Sequence, residues 1–332
     1  MAHAVFIDYI GLPRQISVPQ PQLKHDLFVG ITTWNSEQFL AHCLESVRRT
    51  TDGLRTQIGV VDNLSQDRSV EIARDYGATI RLEHCSQAIA LNRLLEMSTA
   101  RFSLLLHSDV ILLSPDWYST CVGYLTEKVA LVSPEDIGCG PLTRTYGRGM
   151  PESCFMLFDT EKALRSRTWG WTRRRGIPWP RRHLDFDHYY VTHDLPETLA
   201  HRGYDWKPMR VHASPKERVA VYEPPFTPEY WSEEFSYLRY GMGNFYSLDG
   251  CITHYHNWFD RVPKDVPADS METTEGHGRG LPLAYLSLCT RRFIDDLQAG
   301  TLALPSPDEP QPEPHRTPRH VPDLSRPFRA AQ

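Results

Sequence analysis

The sequence predicts an α/β domain with a mostly parallel sheet, and three segments carry that prediction. Each is an apolar run that ends abruptly in polar residues. Phe28-Val29-Gly30-Ile31 precedes Thr32-Thr33-Trp34-Asn35, Ile58-Gly59-Val60-Val61 precedes Asp62-Asn63-Leu64-Ser65, and Phe102 to Leu106 precedes His107-Ser108-Asp109. Short continuous apolar runs suit strands buried on both faces. A helical pattern follows each, and strands that alternate with helices run parallel. The polar ends then share the carboxyl edge of the sheet, where open α/β sheets collect ligands.

In chain order, residues 1–25 hold Pro13, Pro19 and Pro21 among polar residues and read as an N-terminal arm. After the first strand, Phe39, Leu40, Cys43, Leu44 and Val47 recur at helical spacing behind a cap at Asn35 or Ser36. After the second, Ser65 or Asp67 caps a helix carrying Val70, Ile72 and Ala73, and Ala78 to Leu82 is a strand. A helix from Gln87 to Ser98 leads to the strand before Asp109, Ser114-Pro115 opens the next helix, and Val129 to Val132 is extended. The remainder is less regular. Ser153 to Phe158 is a strand, Asp159 caps a helix, and Trp169 to Arg182 is a loop of Arg, Trp and Pro. Leu195 and Leu199 lie on a short helix that ends at Gly203, Tyr230 to Tyr240 is helical, and Cys251 to His256 is extended. The domain is read as 26–300, divided into halves 26–135 and 136–300, and 304–332 as a disordered Pro-rich tail.

With 332 residues the chain is long enough to bury a large core in one elaborated domain. A net charge of -5 supplies no field that favours nucleic acid or anionic lipid, so no nucleic-acid partner is expected. Seven scattered cysteines without a CxxC pair read as reduced thiols of a cytoplasmic protein. No window approaches the roughly 20 apolar residues of a membrane span, and the N-terminus lacks a basic-then-apolar leader, so neither export nor an integral membrane segment is expected. Nothing in the composition fixes an oligomeric state.

The order Ile31-Thr32-Thr33-Trp34-Asn35, Val61-Asp62-Asn63-Leu64-Ser65 and His107-Ser108-Asp109 resembles the nucleotide-sugar-binding half of inverting, family 2 glycosyltransferases of GT-A fold. Those enzymes show a P-T-Y-N-like first turn, a V-D-[DN]-x-S second turn and a D-x-D after a later strand. The resemblance covers about residues 26–260 and is clearest up to Asp116. It implies a single GT-A-like domain, with a Rossmann-like nucleotide-binding half followed by an irregular acceptor-binding half. It also implies a nucleotide-diphosphate sugar as donor, a hydroxyl of a carbohydrate or other acceptor, inversion, and Mn2+ or Mg2+ as cofactor. By position Thr32 and Trp34 face the nucleotide base, Asp62 hydrogen-bonds it, Asn92 and Ser108 belong to the donor-binding residues, and Asp109 binds the cation. A hard cation stabilises the negative charge that develops as a nucleoside diphosphate leaves. His107 departs from the pattern, since it stands where the first Asp of D-x-D would be.

Two later segments complete the set. Tyr190 to Leu195 resembles the family's E-D-x-D-L-like segment, with Leu184 to Tyr189 in place of the preceding G-F-D-E-x-[FY]-like run. Inverting transfer needs a carboxylate to take the acceptor hydroxyl's proton, and Asp194 is assigned that role, with His193 standing where an acid is common. In the extended run Thr253-His254-Tyr255-His256, residues two apart face one side, and related enzymes supply a late His as a ligand. His254 and His256 are thus both candidate metal ligands. Arg173, Arg174, Arg175, Arg181 and Arg182, among Trp169, Trp171 and Trp179, either grip a sugar acceptor or an anionic group or form a solvated basic loop.

Plainer roles stand beside these. Asp62 and Asp194 are also good turn or helix-cap residues, Asp109 also suits a solvated strand end, Trp34 also suits packing against the sheet edge, and either His also suits a structural role. A catalytically silent sugar-binding or scaffold protein of the same fold is the competing reading, with His107 and His193 as traces of lost acids. A nucleotidyltransferase would start with a G-x-G-T-R-like loop, which is absent.

Overall fold

The computed structural model describes residues 23–135, 150–166, 191–192, 195–215, 238–241, 243–257, 266–267, 270, 272 and 283–309. Strands β1 (His25–Thr33), β2 (Thr56–Asp62), β3 (Thr79–Leu82) and β4 (Ala100–His107) lie in the order β3-β2-β1-β4, all parallel. Helices α1 (Glu37–Thr50), α2 (Ser69–Asp75) and α3 (Gln87–Met97) are the crossovers between them. The register aligns Thr33 with Asp62 and Thr32 with His107, so the three predicted turns share one edge.

Alternation along β1 explains the two layers of core. Leu27, Val29 and Ile31 face Phe39, Leu40 and Leu44 of α1, whereas Phe28 faces Leu91 and Leu94 of α3. Gly30 and Gly59 are paired across β1 and β2, and the Phe28 ring covers both. A Cβ on Gly30 would lie 2.7 Å from Phe28 and 3.0 Å from Leu94 Cβ, so the bare glycine lets α3 approach the sheet.

Beyond β4 antiparallel pairing dominates, because β7 inserts against β4. Strands β5 (Val110–Leu112), β6 (Val129–Pro134), β7 (Phe155–Asp159), β8 (Asp205–Ala213), β9 (Asn244–Leu248) and β10 (Cys251–His256) continue the sheet as β4-β7-β6-β8-β9-β10-β5. Only β6 and β8 are parallel in this part. Helices α4 (Trp117–Val122), α5 (Thr160–Ser166), α6 (Leu195–His201) and α7 (Leu283–Ala299) complete the described elements. The sequence reading has no counterpart to α7, whose Tyr285, Cys289 and Phe293 are buried. Phe293 stacks on Tyr255 with centroids 3.8 Å apart, which ties α7 to β10.

Helix starts differ in detail from the expected caps. Helix α2 begins at Ser69 rather than behind Ser65, because Asp67 Oδ1 accepts from the Ser69 amide and its Oδ2 accepts from the Glu37 amide. Asp67 thus fastens the starts of α1 and α2 to each other. Ser36 precedes α1 without a side-chain cap bond, its hydroxyl being engaged elsewhere. Part of the expected tail is placed. Arg210 donates to the carbonyls of Pro307 and Glu309, and just before the tail Ala303 N donates to Tyr240 Oη. Most of the expected Tyr230–Tyr240 helix and residues 310–332 lie outside the described residues.

Candidate cation and nucleotide site

Strand β4 ends at His107, and β5 starts one residue after Asp109. Because β10 pairs antiparallel with β5, His256 falls opposite Val110, and Asn257 N donates to the Asp109 carbonyl at 3.0 Å. This register carries His256 Nε2 to 3.4 Å from Asp109 Oδ1. The rings of His107 and His256 meet edge to face with centroids 5.5 Å apart. One donor atom each from His107, Asp109 and His256 lie within 4.8 Å of one another. Donors about 2.0 to 2.3 Å from one ion lie about 3 to 4.6 Å apart, and the 3.4 Å between Asp109 Oδ1 and His256 Nε2 suits a divalent cation. Gln87 at the start of α3 and Ser153 both contact His107 Nε2, the latter at 3.3 Å.

Behind His256 lies a buried acid. Glu152 Oε1 is 3.4 Å from His256 Nδ1, and Tyr246 Oη donates to Glu152 Oε2 at 2.8 Å. Cys154 adjoins the same ring, and burial, then Glu152, pushes its thiol up to about 12, which keeps it neutral. Burial opposes the charge on His256, and Cys154 and Asp109 counter it, so the imidazole is held well above its ordinary range. His254 is placed otherwise. It is stacked between Phe155 at 4.3 Å and Tyr246 at 4.5 Å, Thr253 Oγ1 is 2.9 Å from its Nδ1, and burial holds it well below the ordinary imidazole range. It does not join the His107, Asp109 and His256 group.

The first two turns form a laced edge. Asp62 Oδ1 accepts from Ser65 N at 2.7 Å and Oδ2 from Ser65 Oγ at 2.6 Å. Ser65 Oγ in turn accepts from Asn35 N at 2.8 Å, and Asn35 Oδ1 accepts from Gln66 N at 2.8 Å. Asn35 sits at φ 49°, a left-handed conformation that Asn tolerates because its side chain bonds locally. Ser108 Oγ donates to Ser36 Oγ at 2.9 Å and links this edge to the cation group. Thr32 is half-buried in β1, Trp34 is 45% exposed at the turn, and Leu64 is 51% exposed at φ 59°. Asn92 is half-buried on α3, more than a turn beyond Gln87.

Asp194, His193, Asp185 and Asp187, and the Arg and Trp cluster of 169–182, lie outside the described residues. Just before them, Thr192 is buried and donates to the Pro151 carbonyl, next to Glu152. The sequence reading missed Gln87, Glu152, Cys154 and Tyr246. No local signal marks them, because each reaches the site through strand pairing or a helix start.

A parallel β3-β2-β1-β4 sheet, an antiparallel extension and a His107, Asp109 and His256 group at the carboxyl edge define a GT-A-like α/β architecture. Residues 28–186 match the profile of glycosyl transferase family 2. No curated protein sequence is similar enough to count as a match. Among solved structures, the mannosyltransferase PcManGT from Pyrobaculum calidifontis, in complex with GDP-Man and Mn2+, is 17% identical with a TM-score of 0.41, and the match covers 62% of each chain. TarS 1-349 from S. aureus is 18% identical with a TM-score of 0.34, covering 43% of this chain and 49% of its own. Glucosyl-3-phosphoglycerate synthase from Mycobacterium tuberculosis, in complex with Mn2+, UDP and phosphoglyceric acid, is 16% identical with a TM-score of 0.39, covering 60% of this chain and 73% of its own. The chain thus spans less than two thirds of the first two structures. Likenesses this distant say nothing of what this chain binds.

Proposed function

We propose that the protein transfers a sugar from a nucleotide-diphosphate sugar to an acceptor hydroxyl with inversion at the anomeric carbon, and that it works in the cytoplasm. The observation that carries this reading is the convergence of His107, Asp109 and His256 at the carboxyl edge, in a chain whose residues 28–186 match family 2. His107, Asp109 and His256 would hold a divalent cation, and a bound cation supplies charge stabilisation for the departing diphosphate. Trp34 offers an exposed ring to the nucleotide base beside Thr32. Asp62 is fixed by Ser65 yet keeps lone pairs for a further donor, since each carboxylate oxygen accepts two. Ser108 and Asn92 complete the donor side. Asp194 takes the acceptor's proton as the hydroxyl attacks, and the placement of Thr192 next to Pro151 and Glu152 supports putting that segment near the site.

One observation supports a cytoplasmic setting. The six described cysteines are all unpaired thiols, as a reducing compartment keeps them. Melting curves with a panel of nucleoside diphosphates, with and without Mn2+, test the proposal, since a ligand that binds only the folded state raises stability by RT ln(1 + [L]/Kd). A rise in Tm with diphosphate and Mn2+ together is expected. Absence of any shift across the panel would sink it. Binding without hydrolysis of any donor sugar would instead favour the silent sugar-binding protein.

A further inference from the structure

Glu152 has no part in the reaction derived above, yet it is 95% withdrawn from solvent beside the cation group, being 5% exposed. We propose that Glu152 is a positioning residue that orients the His256 ring toward the cation. The proposal rests on the reading of His107, Asp109 and His256 as cation ligands. It is carried by one line of contacts. Asp109 Oδ1 stands 3.4 Å from Nε2 of His256, Glu152 Oε1 stands 3.4 Å from Nδ1 on the opposite side of the same ring, and Tyr246 Oη donates to the remaining Glu152 oxygen at 2.8 Å.

The two nitrogens of an imidazole do different work, and the partner of one fixes what the other can do. With Glu152 facing Nδ1, that nitrogen keeps its proton, and Nε2 is the one that gives up its proton to an arriving cation and offers its lone pair on the Asp109 side, as a metal ligand requires. A carboxylate behind a ligating histidine also makes the ring a stronger donor. Burying such an acid without a compensating partner would be costly, so its position needs a reason beyond packing.

Two backbone bonds hold Glu152 in place. Its amide donates to the Pro134 carbonyl at 2.8 Å, and its own carbonyl accepts from Ser133 Oγ at 3.0 Å. Tyr246 lies on β9, opposite His254 in the ladder, and its ring is stacked on the His254 ring. Strand β10 carries His256 itself. Phenol and imidazole are therefore set by the antiparallel β9–β10 pair, and the acid by two bonds to β6.

Calorimetric titration of the full chain with Mn2+ alone tests the assignment, using Glu152→Gln, Glu152→Met, Tyr246→Phe and Asp109→Ala. Glu152→Met should weaken Mn2+ binding about 10- to 100-fold, the usual cost of losing such a partner. Glu152→Gln keeps an acceptor oxygen without the charge and should fall between Met and wild type. Pulsed EPR of bound Mn2+ adds a readout that loss of packing alone would not move, because nitrogen coupling from His256 should diminish in the Met variant. If Glu152→Met fails to fold, Glu152→Gln and Tyr246→Phe carry the test, each with a several-fold loss expected. Folded Glu152 variants that bind Mn2+ like wild type, while Asp109→Ala does not, would overturn the role of Glu152 alone. Wild type that binds no Mn2+ would overturn the cation site and this role with it.

Discussion

His256 reaches Asp109 at 3.4 Å because β10 pairs antiparallel with β5, which begins immediately after Asp109. The carboxylate ends a run read from local sequence, and the imidazole arrives from the far end of the domain by sheet register. The site is therefore as firm as that ladder.

Asp109→Ala should abolish cation-dependent nucleotide binding. Asp109 is the one carboxylate in the His107, Asp109 and His256 group, and it is buried at 7% exposure. Calorimetry with a nucleoside diphosphate and Mn2+ measures the loss. Affinity within about twofold of wild type would remove Asp109 from the cation site.

What was legible in the sequence was what local pattern encodes. β1, β2 and β4 are continuous apolar runs because α1 and α3 cover both their faces. Asp62 and Asp109 stand out because polar residues end those runs. β8 was not legible, since Asp205, Lys207, Pro208 and Arg210 interrupt its alternation and its place depends on parallel pairing with β6. In α7 the Arg291-Arg292 and Asp295-Asp296 pairs obscure an apolar face that shows itself only in its packing on Tyr240 and Tyr255. Glu152 carries no motif, because its partners Tyr246 and His256 are distant in sequence and near only through the sheet.

His107→Asp should shift the cation preference toward Mg2+. Two imidazoles and one carboxylate suit Mn2+ and later transition ions better than Mg2+, which favours oxygen donors. Restoring a second carboxylate should raise Mg2+ affinity about tenfold relative to Mn2+, a change of about 1.4 kcal/mol. Paired titrations of wild type and variant with both ions check this, and an unchanged Mg2+ to Mn2+ ratio would show that His107 does not ligate.

Gly59→Ala should destabilise the fold by about 1 to 3 kcal/mol, as overpacking does. The added Cβ would lie 2.7 and 2.8 Å from Phe28 ring atoms and 3.1 Å from Met97 Cε. Urea denaturation gives the difference. The double variant with Phe28→Leu should recover part of it, because residues in contact are not additive; strict additivity would mean the Phe28 ring is not the obstacle.

Stability should fall as pH drops from about 6.5 to about 4 through His212, whose pKa is lowered from 6.5 to about 4 by burial and by Arg210. The folded state holds this ring neutral, with Nε2 2.7 Å from Ser247 Oγ, while the unfolded chain takes up a proton first. Its contribution is complete above the unfolded value and is lost on acidification, on the order of 1 to 2 kcal/mol. Melting curves of wild type and His212→Gln between pH 7.5 and 4 make the comparison, with pH values about half a unit apart. Parallel curves would assign the acid sensitivity to other groups.

Asp194→Asn tests the base. If Asp194 accepts the acceptor's proton, the variant should keep its nucleotide affinity yet lose roughly 100-fold or more in kcat, since general-base catalysis contributes about 10² to 10⁴. Asn has nearly the size of Asp and caps a helix as well, so the exchange removes basicity and spares any capping of α6, which begins at Leu195. A simple cap would leave turnover unchanged, and a simple packing role would lower Tm along with kcat. Turnover must therefore be measured at saturating donor and acceptor, beside a melting curve. Near-normal kcat would move the role to Asp185 or Asp187, the other acids of the same stretch.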